Sequence, residues 1–187
     1  MLIISTSHDY IIRSRSGVRQ SGHDSERTNA IYKLASHLKE KGLIDGIGMQ
    51  GHMGLSYPAI YEGHDNWKTA LEKFGQLGLE IHITELTINT DNPSPNKDLI
   101  NVQAARYAEL FRLFNEMKTR SSKGANITSV TVFGLMDNYL LYDNDTQTSR
   151  LFDGNLQPKP SFYSVVQPNL PWELTKELYE ELLPKEK

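Results

Sequence analysis

"LEIHITELTIN", Leu79 to Asn89, is a hydrophobic run with a carboxylate, Glu85, near its end. It reads as a buried strand with a charged group at its mouth. Burying a carboxylate is costly unless it is paired or put to use. If Glu85 does chemistry, it also needs a chemical partner elsewhere in the chain.

Composition narrows the setting. The chain has 187 residues, 38% of them hydrophobic, which suits one domain or part of a larger one. A net charge of −3 offers no basic surface for nucleic acid or an anionic membrane. No run of 18 apolar residues is present. The start, "MLIISTSHDY", lacks the regions of a secretory signal, and the compartment stays open. With no cysteine there is neither disulfide nor thiolate chemistry.

Outward from Glu85 the pattern is strand then helix, repeated. "LIIST" (Leu2 to Thr6) is a short buried strand. In "SERTNAIYKLASHLKEKG", Ile31, Leu34, Ala35 and Leu38 follow the spacing of an amphipathic helix, with Ser25 placed to cap its start and Gly42 its end. "IDGIGMQGH" is the next strand, its glycines allowing close backbone approach. "DNWKTALEKFGQLG" is a helix with Trp67, Ala70, Leu71, Phe74 and Leu77 on one side and Gly78 as its stop. After the Leu79 strand and a Pro-rich loop, "VQAARYAELFRLFNEMKTR" is the longest helix, with Ala104, Ala108, Phe111 and Phe114 on its apolar side. "ITSVTVFGLMD" is the fourth strand, and Pro160 opens a short last helix.

The fold class is therefore α/β: four parallel strand-helix units plus a C-terminal helical tail. Residues 1–168 form the main body and 169–187 the tail or a linker. In the tail, Leu174, Leu178 and Leu182 make a narrow apolar stripe, and Trp172 is expected to pack on the exterior.

The strands run into "SHDY", "QGH", "TEL" and "FGLMD", bringing His8, Asp9, Tyr10, Gln50, His52, Glu85, Phe133 and Asp137 toward one rim. Parallel α/β sheets and barrels gather reactive groups at the carboxyl ends of strands. Glu85 thus sits where a barrel enzyme puts a working group. Position alone also fits a rim salt bridge for Glu85, a satisfied rim histidine for His52, backbone satisfaction for Gln50 and plain core for Phe133.

"DGIGMQGH", "IHITELTI" and "VTVFGLMDNYLLYDNDTQTSRLFDGNLQPKPSFYSVV", in that order and spacing, resemble glycoside hydrolase family 10. Its members are mostly retaining endo-1,4-β-xylanases on a (β/α)8 barrel. The resemblance runs to about Gln167 and implies that the chain is the second half of that barrel. It implies that Glu85 is the nucleophile, that His52 hydrogen-bonds it, and that Gln50 lies beside the reacting sugar. A neighbouring donor favours the ionised carboxylate that a nucleophile needs. Phe133 would contribute to the aromatic wall of a sugar site. Xylan or xylo-oligosaccharide is the implied substrate. No cofactor is implied, and the histidines make no metal-ligand spacing.

Three positions depart from the family pattern. Thr87 replaces an aspartate that supports the histidine, Phe133 stands where a tryptophan is usual, and Leu141 stands near a second tryptophan position. Length departs further, since a (β/α)8 barrel takes roughly 250 residues. The resemblance implies that the acid/base glutamate belongs to the first half of the barrel, and retaining hydrolysis needs two carboxylates roughly 5–5.5 Å apart. Asp9 and Asp137 lie at strand ends, but the resemblance gives neither that role.

Half a barrel would leave two open sheet edges. The inward faces of Ile3, Ile47, Ile83 and Val132, or of their strand neighbours, would lack an opposite wall. The chain is accordingly expected to pair with a missing N-terminal barrel half or with itself. Three readings stand: part of an endo-xylanase, a truncated non-catalytic relative with weak sugar binding, or an unrelated parallel α/β enzyme such as an isomerase.

Overall fold

The structure is a computed structural model that describes residues 3–6, 23–63, 66–120, 122–137 and 148–182. His8, Asp9, Tyr10, His64 and Leu141 lie outside the described residues. Four strands, β1 (Ile3–Thr6), β2 (Gly46–Gly54), β3 (Glu80–Asn89) and β4 (Asn126–Val132), form one sheet in the order β1-β2-β3-β4. β1 pairs with β2 in parallel, from Ile3 opposite Gly46 to Thr6 opposite Met49. β3 pairs with β4 in parallel, from Glu80 opposite Asn126 to Leu86 opposite Val132. Helix α1 (His23–Glu40) follows β1, α2 (Trp67–Gly75) follows β2 and α3 (Lys97–Thr119) follows β3. The alternation of strand and helix thus holds three times. Two further helices, α4 (Pro160–Val166) and α5 (Trp172–Leu182), close the described chain.

Helix boundaries follow their local chemistry. α1 begins at His23, so Ser25 lies inside the helix instead of capping it. Its far end behaves as read: Leu43 N–H bonds Leu38 O at 2.9 Å and Gly42 N–H bonds Lys39 O at 2.9 Å, with Gly42 at φ +64°. This paired closure needs a left-handed residue, which glycine supplies without a Cβ penalty. α2 is capped by Asn66, whose side chain accepts from Thr69 N at 2.8 Å. α3 starts at Lys97, five residues before the expected Val102. The reason is Asn96, which accepts Leu99 N–H at 3.0 Å and caps the helix directly after the Pro-rich loop.

The chain divides into two units by its contacts. The first, residues 1–87 and 113–133, holds most of the sheet with α1, α2 and the end of α3. Ile47, Met49, Ile81, Ile83, Leu86, Trp67, Leu71 and Phe74 are buried there. Trp67 meets Phe114 edge to face, with centroids 5.7 Å apart. Ile47 and Ile83 are fully buried, so neither lacks a covering wall, contrary to the expectation for an open half barrel.

The second unit, residues 88–112 and 134–187, is tied by polar groups. Tyr107 Oη accepts from Ile88 N at 3.2 Å and donates to Ser149 O at 2.9 Å. Gln103 Nε2 donates to Ile88 O at 2.6 Å and to Thr148 O at 2.7 Å. Two polar side chains of α3 therefore satisfy both backbone groups of Ile88. Burial pushes the Tyr107 hydroxyl well above the usual tyrosine range. The tail helix belongs to this unit, but not through its leucines. Tyr179 packs on Phe162 and Tyr163, at 5.6 and 5.9 Å between ring centroids, and Thr175 is buried. Leu174 and Leu178 stay 42% and 45% exposed, so the apolar stripe of the tail helix is not its packed side.

Candidate active site

Gln50, His52, Glu85 and Phe133 come together in the first unit. Gln50 Nε2 donates to Glu85 Oε1 at 3.1 Å. His52 Nε2 lies 3.1 Å from Glu85 Oε2. Among the described residues each carboxylate oxygen thus has one nitrogen partner, both contributed by β2. The Phe133 ring meets the His52 ring edge to face, with centroids 5.7 Å apart. The His52 and Glu85 side chains are 27% and 33% exposed, so the pair is sheltered yet open to a ligand.

Strand geometry explains the convergence. Successive side chains of a strand point to opposite faces. Gln50 and His52 are two apart on β2, and Glu85 and Thr87 are two apart on β3. Between them Gly51 and Leu86 face the other way. A Cβ on Gly51 would lie 3.2 Å from Leu86 Cα and 3.4 Å from the Trp67 ring. Glycine at 51 therefore keeps β2 seated closely against β3 at the level of the site.

β3 reaches this arrangement through an irregularity. Ile83 pairs with Val130 and Leu86 with Val132, so three steps on β3 match two on β4. Ile81 and Ile83 are buried, and after the extra residue Leu86 and Ile88 are buried in their turn. Without that shift Glu85 would share the face of Ile81 and Ile83. The bulge re-aims it toward Gln50 and His52, a known use of such features near functional sites.

Thr87 completes the cluster. Its Oγ1 lies 2.9 Å from His52 Nδ1, and the residue is buried. Its hydroxyl contacts the ring without adding a charge.

Asp137 has a different place, in the second unit. Its Oδ2 meets Lys159 Nζ at 2.6 Å and its Oδ1 accepts Arg150 N–H at 2.9 Å. Burial raises its carboxyl above the usual range, opposed by the Lys159 hydrogen bond and charge. Burial likewise lowers the Lys159 ammonium, opposed by Asp137. Asp137 is thus engaged on both oxygens, in keeping with a structural role. Lys159, Gln103 and Tyr107 were not singled out from the sequence. No group of three or more His, Cys, Asp or Glu side chains suited to a metal ion occurs among the described residues.

Glu85 is the sixth of the ten residues of β3, short of the strand mouth expected for it, and a parallel α/β sheet with a hydrogen-bonded carboxylate in the carboxyl half of a strand is an arrangement found among barrel hydrolases. The model of glycosyl hydrolase family 10 matches residues 19–168. A putative endo-1,4-β-xylanase of Caldicellulosiruptor saccharolyticus is 47% identical over 149 residues, covering 78% of this chain and 48% of that protein. Endo-1,4-β-xylanase B of Paenibacillus barcinonensis is 34% identical over 157 residues, covering 76% of this chain and 44% of that protein. The crystal structure of a Clostridium thermocellum endo-1,4-β-xylanase complexed with xylohexaose superposes with a TM-score of 0.69 at 28% identity, covering 92% of this chain and 30% of that one.

This chain belongs to glycosyl hydrolase family 10. It spans about half, or less, of the length of the relatives it matches.

Proposed function

We propose that the chain forms part of a retaining endo-1,4-β-xylanase, as four strand-helix units of the second half of a (β/α)8 barrel, with Glu85 as its nucleophile. The observation that carries this reading is the pairing of Glu85 with Gln50 and His52, one nitrogen on each oxygen. Such donors favour the ionised carboxylate and fix its direction of attack. Glu85 would bond to the anomeric carbon as the glycosidic bond breaks, and water would later release the sugar. Gln50 and Phe133 would lie beside the sugar. The proton for the leaving oxygen would come from a second carboxylate, supplied by the part of the relatives' length that this chain does not span. Barrel closure by that complementary part, or by a second copy, would cover the open sheet edges.

A second reading, a non-catalytic relative with weak sugar binding, draws on Thr87 and Phe133, which replace larger or charged groups of the family pattern.

Xylan hydrolysis by this chain alone, and again mixed with a first barrel half from a relative, separates the readings. The first predicts little activity alone and restored activity in the mixture, lost in Glu85→Ala. Restored activity that survives Glu85→Ala rejects the site. Xylo-oligosaccharide binding with no activity in any mixture supports the second reading.

A further inference from the structure

The geometry points to Thr87 as a positioning residue whose hydroxyl donates to His52 Nδ1 and holds the ring as the neutral Nε2–H tautomer. A neutral imidazole has one nitrogen that donates and one that accepts. The ionised Glu85 carboxylate only accepts, so the nitrogen 3.1 Å from Oε2 carries the proton. In a neutral ring Nδ1 is then a lone-pair acceptor, and its partner at 2.9 Å, Thr87 Oγ1, has a proton to give. A carboxylate at position 87 could only accept, and it would require protons on both nitrogens. The hydroxyl lets His52 keep both bonds without becoming an imidazolium.

The ring also joins two positions of one strand. Nε2 holds Glu85 and Nδ1 holds Thr87, two residues on, so a single side chain of β2 fixes the orientation of β3 just past its bulge. Phe133 packs on the ring and offers no carboxylate. With the Gln50 amide on the other oxygen, Glu85 faces two neutral donors among the described residues. The catalytic consequence rests on Glu85 as nucleophile: among the described residues its charge is oriented by dipoles and not neutralised by a cation. The tautomer itself does not depend on that role.

Nitrogen-15 NMR of the histidine rings tests the assignment in the purified chain at mildly alkaline pH. The expected spectrum shows a pyrrole-like Nε2 and a pyridine-like, hydrogen-bonded Nδ1 for His52. Thr87→Val keeps the branched shape and should shift Nδ1 further downfield, as an acceptor without a donor. Thr87→Ser should leave it near its original position. Thr87→Asp should convert the ring to imidazolium at the same pH. A wild-type imidazolium, a proton on Nδ1, or Thr87→Val and Thr87→Asp spectra that match wild type would overturn the proposal. Covalent labelling of Glu85 tests the nucleophile separately, so the two can fail independently.

Discussion

His52 Nε2 lies 3.1 Å from Glu85 Oε2 and, among the described residues, is one of two nitrogens that hold this carboxylate. Hydrogen bonds to a charged group contribute about 1.5–3 kcal/mol each. In a reconstituted enzyme, His52→Ala should therefore lower kcat/KM by roughly 10- to 150-fold. Gln50→Ala should act in the same direction, and steady-state kinetics on xylo-oligosaccharides measures both. A His52→Ala enzyme with unchanged kcat/KM would show that this contact does not serve turnover.

Gly51 sits between these two donors, and an added Cβ would press on Leu86 and Trp67. Overpacking of this kind costs about 1–3 kcal/mol. Gly51→Ala should unfold at lower denaturant concentration, and it should weaken activity by moving Gln50 and His52 relative to Glu85. Circular dichroism under urea checks the first effect.

Tyr107→Phe should lose about 1–3 kcal/mol of stability, because Ile88 N–H and Ser149 O both lose a buried partner. Equilibrium unfolding measures the loss. A neutral result would mean that water replaces the hydroxyl.

The buried Asp137–Lys159 pair predicts opposite pH slopes for two variants. Lys159→Met leaves the Asp137 carboxyl buried without its counter-charge and should cost about 3–5 kcal/mol near neutrality. A carboxyl raised above its unfolded value contributes stability at low pH that is lost as pH rises through the folded value. The Lys159→Met deficit should therefore shrink in acid and grow toward neutral pH. Asp137→Asn leaves the Lys159 ammonium lowered, so its stability contribution is present at high pH and lost as pH falls. That deficit should shrink in alkali. Unfolding midpoints across pH decide both signs.

Much of the site could be read before the structure. Gln50 and His52, two apart on a glycine-bearing strand, and Glu85 on the next strand were placed together by the family resemblance, while the strand mouth expected at Glu85 lies further on, at Asn89. The bulge was not read: the buried apolar positions 81, 83, 86 and 88 slip phase once, between Ile83 and Leu86. Other features were less legible. Gln103 and Tyr107 look like ordinary helix residues until the backbone of Ile88 is seen to need them. Asp137 and Lys159 lie 22 positions apart, and nothing local announces their pairing. In the tail, the leucine stripe did not reveal the packed side, which rests on the ring of Tyr179 against Phe162 and Tyr163.

The role of Glu85 is tested most directly by trapping the glycosyl-enzyme. A fluoro-xylobioside with a dinitrophenol leaving group needs no acid to depart and slows release of the bound sugar. Incubated with the chain and its complementary barrel half, it should add one xylobiosyl unit, and peptide mass spectrometry should place that unit on Glu85. An active mixture carrying the label on a different residue would contradict the assignment.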